Sequence, residues 1–324
     1  MKTNYLGARV GLPRELLAGE LSFYRYSSEL IKDTVIATTT MYPEKDGKMD
    51  AASELRSRLA LEKIRKAAEL GCDIVVLDGG SSAGWRTKAR DLGAVLVDEN
   101  LSDYPGRHVM GRGRRQILDF AGNYGKHKII AWIEPEKHPF ITSEQLSISP
   151  LGVAAMVVYE ELADIVIPRR KDGLQSYPLQ QQFEELLGSV HVTEQMRSFV
   201  ERHKLGNPLH MVPYLDLWIG PRIISKEKGL QEFLDYKGEI RLSEDGKEVS
   251  YPHDQWESVF VPVWNAMLEG KDVKSVVVDY IHPRDQTEFE SGNLVFNQKR
   301  IDQLVKLLTT NERFLRSYEQ RLTN

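Results

Sequence analysis

Cysteine is almost absent from this sequence. One thiol in 324 residues, Cys72, excludes an intrachain disulfide framework and a thiolate metal cluster. Its place between a helical pattern and an apolar strand reads as a buried structural thiol rather than a reactive one. Long apolar runs are missing too. No stretch approaches the ~20 residues a membrane-spanning helix needs. The segment from Met1 to Gly19 lacks an apolar core and a small-residue cleavage site. A cytoplasmic location is the resulting expectation. Neither charge dominates: 43 Lys and Arg against 47 Asp and Glu leave a formal net charge of -4. That balance argues against a chain-wide nucleic-acid or membrane surface.

Several chemical signatures are absent as well. There is no G-x-x-x-x-G-K-[ST] phosphate loop and no H-E-x-x-H, and no G-x-S-x-G elbow. Gly111-Arg112-Gly113 does not complete G-x-G-x-x-G, because position 116 is Gln. The first strand also lacks a glycine-rich turn after it, which counts against a dinucleotide site.

What is present is ordinary for a globular protein: 41% hydrophobic and 28% charged residues, enough for a sizeable core. Asp33 to Thr40 is β-branched and apolar and reads as a buried strand. Ala51 to Leu70 has helical spacing, with Gly71 as its stop. Asp73 to Leu77 is a second strand, Ala83 to Leu92 a helix and Ala94 to Val97 a third strand. This alternation predicts a parallel sheet with helices on its faces. Further on, the patterns predict a helix over 116–124, a strand over 128–133, a helix over 150–162, a strand over 164–168 and helix over 177–204. Near the end stand a hairpin around Asp245-Gly246, a helix over 256–268, a strand over 275–280 and a charged closing helix over 301–322. No repeat, low-complexity tract or long linker appears. One domain is the simplest account.

In open parallel sheets, ligands bind beyond the carboxyl ends of the strands. Four strand ends here carry polar clusters: Thr38 to Thr40, Asp78 to Ser81, Glu134 to Lys137, and His282 to Arg284. Asp78 with Gly79 and Gly80 suits a nucleobase or ribose, and equally a plain strand-to-helix turn. Glu134 and Glu136, two apart, suit a divalent cation that also takes substrate phosphates, or a solvated acidic loop. Arg112, Arg114 and Arg115 at a helix entry suit a pyrophosphate, or a solvated basic face. His282 is a possible third metal ligand or a base, or a structural histidine. Asp254 with Trp256 suits a sugar, or a charged helix start with a core Trp.

The order of these clusters resembles the GT-A glycosyltransferases, particularly their broad family-2-like group. The first strand of that family ends near the nucleotide, here with Thr38 and Thr40. A second ends in an acidic Gly-Ser turn, here Asp78-Gly79-Gly80-Ser81, and a basic helix entry follows, here Arg112 to Gln116. A strand closing in D-x-D is matched by Glu134-Pro135-Glu136. Leu217 to Arg222 resembles the acceptor-side Gly segment, and Asp254 to Trp256 the start of the acceptor-side helix. His282 falls where some members supply a third metal ligand. The likeness spans about residues 33 to 290, and E-x-E in place of D-x-D is its main departure.

The resemblance implies a Rossmann-like, mainly parallel α/β fold. Residues of about 33–170 would form the nucleotide-sugar half, about 171–290 a modified acceptor half, and 291–324 a C-terminal helix. It implies a hexosyltransferase that uses a divalent cation, Mg²⁺ or Mn²⁺, and a UDP- or GDP-sugar. Glu134, Glu136 and His282 would hold the metal. Thr38, Thr40, Asp78, Gly79, Arg112, Arg115 and Glu134 would hold the donor. Gly220, Arg222 and Trp256 would meet the acceptor, with segments 171–182 and 239–255 as acceptor loops. Asp254 would serve as general base in an inverting reaction; the sequence leaves inverting and retaining chemistry open. A sugar-1-phosphate nucleotidyltransferase and a non-catalytic GT-A-like scaffold are the alternatives. Small molecules rather than nucleic acid are the expected partners, and a homo-oligomer is compatible with the sequence.

Overall fold

The computed structural model describes residues 30–102, 108–142, 149–171, 174–205, 214–236, 241–242, 248–249 and 256–323. Strand β1 (Thr34–Thr40) is followed by helix α1 (Ala51–Leu70), β2 (Asp73–Asp78), α2 (Ala83–Asp91) and β3 (Val95–Asp98). Local chemistry fixes α1 at both ends. The Asp50 carboxylate accepts from the Ala52 and Ser53 amides, and Gly71 closes the helix in the left-handed region at φ 73°. Then come α3 (Met110–Asn123), β4 (Ile129–Trp132), α4 (Pro150–Tyr159), β5 (Ile165–Arg170) and α5 (Leu179–His203). The last part holds β6 (Arg222–Ser225), α6 (Leu230–Asp235), the short antiparallel pair β7 (Arg241–Leu242) and β8 (Glu248–Val249), α7 (Val261–Leu268), β9 (Val273–Val278), α8 (Arg284–Glu290) and α9 (Leu294–Thr323).

The seven-stranded sheet runs β3-β2-β1-β4-β6-β5-β9. Only β6 is antiparallel to its neighbours, β4 and β5. The mainly parallel α/β sheet expected from the sequence is therefore present. The chain steps outward from β1 to β2 and β3, then returns to place β4 on the other side of β1. That reversal opens a crevice at the carboxyl ends of β1 and β4. The same edge carries the ends of β2, β5 and β9 and the start of β6.

Apolar layers cover both faces, as strand alternation requires. Ile36, Val76, Ile129 and Ala131 face Ile64 and Ala67 of α1 and the wholly apolar α4. Val35, Ala37, Val75, Ile130 and Trp132 face Ile117 and Ala121 of α3, with Val192 of α5 and Trp264 of α7 in the same layer. No helix of the described residues is long and apolar enough to cross a membrane.

Five elements depart from the sequence reading. Helix α3 begins six residues before Gln116, because Gly111 and Gly113 are helical despite their low propensity. A Cβ at Gly113 would come within 3.3 Å of Leu77 Cδ2, so the glycine permits close helix-to-sheet approach. Strand β6 and helices α6 and α8 have no counterpart in the sequence reading. Helix α9 starts seven residues earlier than expected.

Candidate functional site

Side chains on β1 alternate, and this decides what each threonine meets. Thr38 and Thr40 point to the α1 face with Ile36. The Thr38 hydroxyl accepts a 2.7 Å bond from Lys63 Nζ, and Thr40 donates to Asp78 Oδ1 at 3.0 Å. Both are buried and engaged within the fold. Thr39 lies on the opposite face, toward Gly113.

Lys63 was not singled out from the sequence. It projects from α1 and is fully buried. It also donates to the carbonyls of Ile133 (3.0 Å) and Glu134 (3.2 Å), which ties the ends of β1 and β4 together. Burial pushes its pKa down to about 7, against the raising effect of Glu136 and Glu134.

Glu134 lies two residues past the end of β4. Burial raises its pKa; the charge of Lys137 opposes the rise, and Glu136 adds to it. Its Oε2 is buried with no hydrogen-bond partner. The carboxylate occupies the space where a Cβ at Gly220 would stand, and Gly220 has φ 92°. Gly220 is thus the floor on which Glu134 rests rather than a contact for an outside molecule. Glu136 is half-buried, and its charge acts on Lys63, Lys299 and Glu290.

The three-ligand metal set is not assembled. Among the described residues no group of three His, Cys, Asp or Glu side chains is placed to hold an ion. His282 is buried: its Nδ1 pairs with Thr287 Oγ1 at 2.8 Å, and its ring lies 4.0 Å from that of Tyr177. Burial and the cations Lys137, Arg300 and Arg170 hold its pKa well below 6.5. The histidine therefore sits among positive charges, where a metal ion is disfavoured. Glu134 and Glu136 alone fit a hard cation that completes its shell with water and substrate phosphate. The unpartnered Oε2 of Glu134 is the feature that such an ion would satisfy.

Asp78 is likewise committed internally. It is 2% exposed. Its oxygens accept from Thr40, from the Ser81 amide and from Arg86 Nη1 at 3.1 Å. It organises the turn, and the expectation that it holds a nucleoside is corrected. Glu99, just past β3, is the carboxylate that reaches the cleft between β2 and α3. It accepts from Arg112 Nη2 at 3.0 Å and pairs with His108 Nδ1 at 2.6 Å. Gly79 makes room for this pair, since a Cβ there would stand 3.0 Å from Glu99 Oε2 and 3.2 Å from His108. Glu99 lies outside the polar clusters at the four strand ends, and only tertiary folding brings it to Gly79.

The arginines divide. Arg112 belongs to the Glu99 pair. Arg114 lies over the Trp132 ring at 4.8 Å, donates to Ser258 Oγ and acts on Glu134. Arg115 points away and donates to the Tyr236 carbonyl at 2.7 Å. Arg222 is fully buried and donates to the carbonyls of Leu217, Gly220, Pro221 and Val259. It braces the backbone beneath Gly220 and is not available to an acceptor.

The edge is completed by a buried ionic network at the ends of β5 and β9. Arg170 pairs with Asp216 and, at 2.8 Å, with Glu185; Glu185 also accepts from Arg300 at 3.1 Å. Lys137 donates to Tyr177 Oη at 3.3 Å and lies over the Tyr280 ring. On the far side, Lys299 Nζ stands 5.4 Å from the Trp256 ring. Asp254 lies outside the described residues, as do most of segment 239–255 and residues 172 and 173 of segment 171–182.

No protein-family model matches the chain, and none of the curated proteins does. Solved structures of similar shape include glucosyl-3-phosphoglycerate synthase from Mycobacterium tuberculosis with Mn²⁺, uridine diphosphate and glucosyl-3-phosphoglycerate. It is 13% identical over 88% of this chain and 82% of that one, with a TM-score of 0.44. The same synthase with Mg²⁺ and uridine diphosphate scores 0.47 at 12% identity, over 88% and 83% of the two chains. A Desulfovibrio desulfuricans G20 protein, provisionally described as a nucleotide-diphospho-sugar transferase, scores 0.42 at 14% identity over 89% and 98%. These likenesses are too distant to assign a residue or a reaction.

Proposed function

We propose that this chain is a glycosyltransferase of the GT-A type, which moves a hexosyl group from a nucleotide-diphosphate sugar to an acceptor with the help of a divalent cation. The observation that carries the reading is the buried, unpartnered Glu134 carboxylate oxygen at the β1/β4 crevice, with Glu136 two residues on. A bound Mg²⁺ or Mn²⁺ would supply electrostatic stabilisation of the departing diphosphate. Glu134 and Glu136 would hold it. Lys137 and Arg114, whose charges act on Glu134, would add positive charge to the same place. Lys63 holds the two strand ends in register, so that Glu134 is fixed before any ligand arrives. Glu99 and His108 would face the nucleoside in place of Asp78. Asp254 would take the acceptor proton if the reaction inverts.

The test is thermal-shift screening of UDP- and GDP-sugars with and without Mn²⁺ or Mg²⁺. A ligand at 100 times its dissociation constant stabilises the native state by ~2.7 kcal/mol. A metal-dependent rise for one nucleotide class, lost in Glu136→Gln, is the expected result. No rise with any sugar nucleotide on folded protein refutes the reading. Release of pyrophosphate from a nucleoside triphosphate would replace it with the nucleotidyltransferase.

A further inference from the structure

Helix α8 buries polar side chains where a helix normally buries apolar ones. Its two buried residues are Gln286 and Glu290, one turn apart, while Phe289 is 41% exposed. An amphipathic surface helix shows the opposite arrangement. The inward pair is also incompletely satisfied. Gln286 Nε2 donates to Glu290 Oε1 at 2.9 Å, but Gln286 Oε1 and Glu290 Oε2 are buried with no hydrogen-bond partner. Arg56 Nη2 stands 3.9 Å from Glu290 Oε1, too far for a hydrogen bond. Orphaned acceptors of this kind are rare in folded proteins and cost stability unless something donates to them.

The helix itself is anchored on both sides. Asp285 accepts from Arg58 of α1 at 2.6 Å, and the Thr287 hydroxyl donates to the Ser176 carbonyl at 2.8 Å. Helix α1 also fixes where the orphaned pair lies. Arg56, beside Glu290, and Lys63, which donates to the Glu134 carbonyl, stand seven residues apart on α1. They therefore share one stripe of that helix, roughly 10 Å apart along its axis. Glu290 thus lies on the same side of α1 as the segment of Glu134 and Glu136, and the charge of Glu136 reaches it.

The missing partner is a donor. Two acceptor oxygens one turn apart suit a group that carries several hydroxyl or amino hydrogens. The surrounding charge decides between these. Arg56 and Arg300 already act on Glu290, and Lys299 stands within its field. A further cation is repelled there, and neutral hydroxyls are favoured. We propose that Gln286 and Glu290 form a subsite for sugar hydroxyls, and that it receives the hexosyl group of a sugar nucleotide whose diphosphate lies at Glu134 and Glu136. One hydroxyl donates to Glu290 Oε2 and a second to Gln286 Oε1. The nucleotide in this assignment rests on the glycosyl-transfer reading; the subsite rests on α8 alone. A trapped water is the competing partner for the same oxygens, and it would give the pair no role in binding.

The test is isothermal titration calorimetry on the full chain with Mn²⁺, comparing UDP with UDP-glucose and GDP with GDP-mannose. The wild type is set beside the double variant Gln286→Leu/Glu290→Met. A hydrogen bond to a charged group is worth about tenfold in affinity. Relative to its nucleoside diphosphate, the sugar nucleotide should therefore bind the variant about tenfold more weakly, with the diphosphate affinity unchanged. An unchanged ratio overturns the proposal, as does a loss shared equally by both ligands. If no nucleotide binds, the transferase reading falls and free glucose, mannose and galactose decide. Thermal protection of the wild type that the variant lacks then supports the subsite; equal or no protection overturns it. Urea unfolding without ligand gives a second readout. Removing two orphaned acceptors should leave the midpoint unchanged or raise it, because Arg56 is 38% exposed and stays hydrated. A lower midpoint marks the pair as structural and overturns the proposal.

Discussion

Replacing Gly220 by Ala tests the geometry on which the site depends. Gly220 has φ 92° and ψ -60°, a region that residues with a Cβ rarely enter. The backbone strain of holding an alanine there is on the order of 1–3 kcal/mol. The new methyl would also occupy the place of the Glu134 carboxylate, so either the carboxylate turns away or the segment before β6 shifts. Arg222, which donates to the Gly220 and Pro221 carbonyls, resists the second movement. The expected loss is therefore ~2–4 kcal/mol, at the high end for a single substitution. Urea unfolding reads it as a lower midpoint with an unchanged slope. Removing the clashing carboxylate in the double variant Gly220→Ala/Glu134→Ala should restore part of the loss, the sign of direct coupling. The single variant should also lose the metal-dependent response to a sugar nucleotide. Stability within ~0.5 kcal/mol of wild type, with that response intact, would refute the argument that Gly220 seats Glu134.

Two further outcomes are expected. Asp216→Ala leaves the buried Arg170 with one of its two carboxylates, and should cost ~3–5 kcal/mol in urea unfolding; Glu69→Gln, which removes one of the two carboxylates paired with the exposed Arg65 on α1, should leave the urea midpoint unchanged. His282 has its folded pKa depressed by burial and neighbouring cations, so below pH 6.5 the unfolded chain binds a proton that the folded one refuses. Its contribution is present above that pH and lost as pH falls, by up to ~1.4 kcal/mol per unit. Urea midpoints between pH 7.5 and 5.5 should show this slope, and His282→Asn should flatten it.

The order of strands and helices was legible because each rests on local rules. Asp50 and Gly71 cap α1 wherever the helix packs, and apolar runs such as Ile74 to Leu77 name their own strands. The edge carrying the polar clusters followed from the parallel alternation. The roles inside that edge did not. Period two along β1 fixes that Thr38 and Thr40 share a face, yet nothing local says that this face meets Lys63 rather than a ligand. Asp78 looked free because its partners Thr40 and Arg86 come from other elements. Glu99, Lys63 and the Gly220 seat were invisible for the same reason, since each acquires its meaning from residues on other segments of the chain. Strand β6 was missed because four residues carry too little periodicity, and its antiparallel place exists only through β4 and β5. What the sequence by itself determined is where the chain turns, caps and alternates, because those depend on neighbours within a few residues. Which carboxylate lies unpartnered and which arginine braces a backbone were decided only by tertiary structure, because burial and charge pairing are properties of the assembled edge.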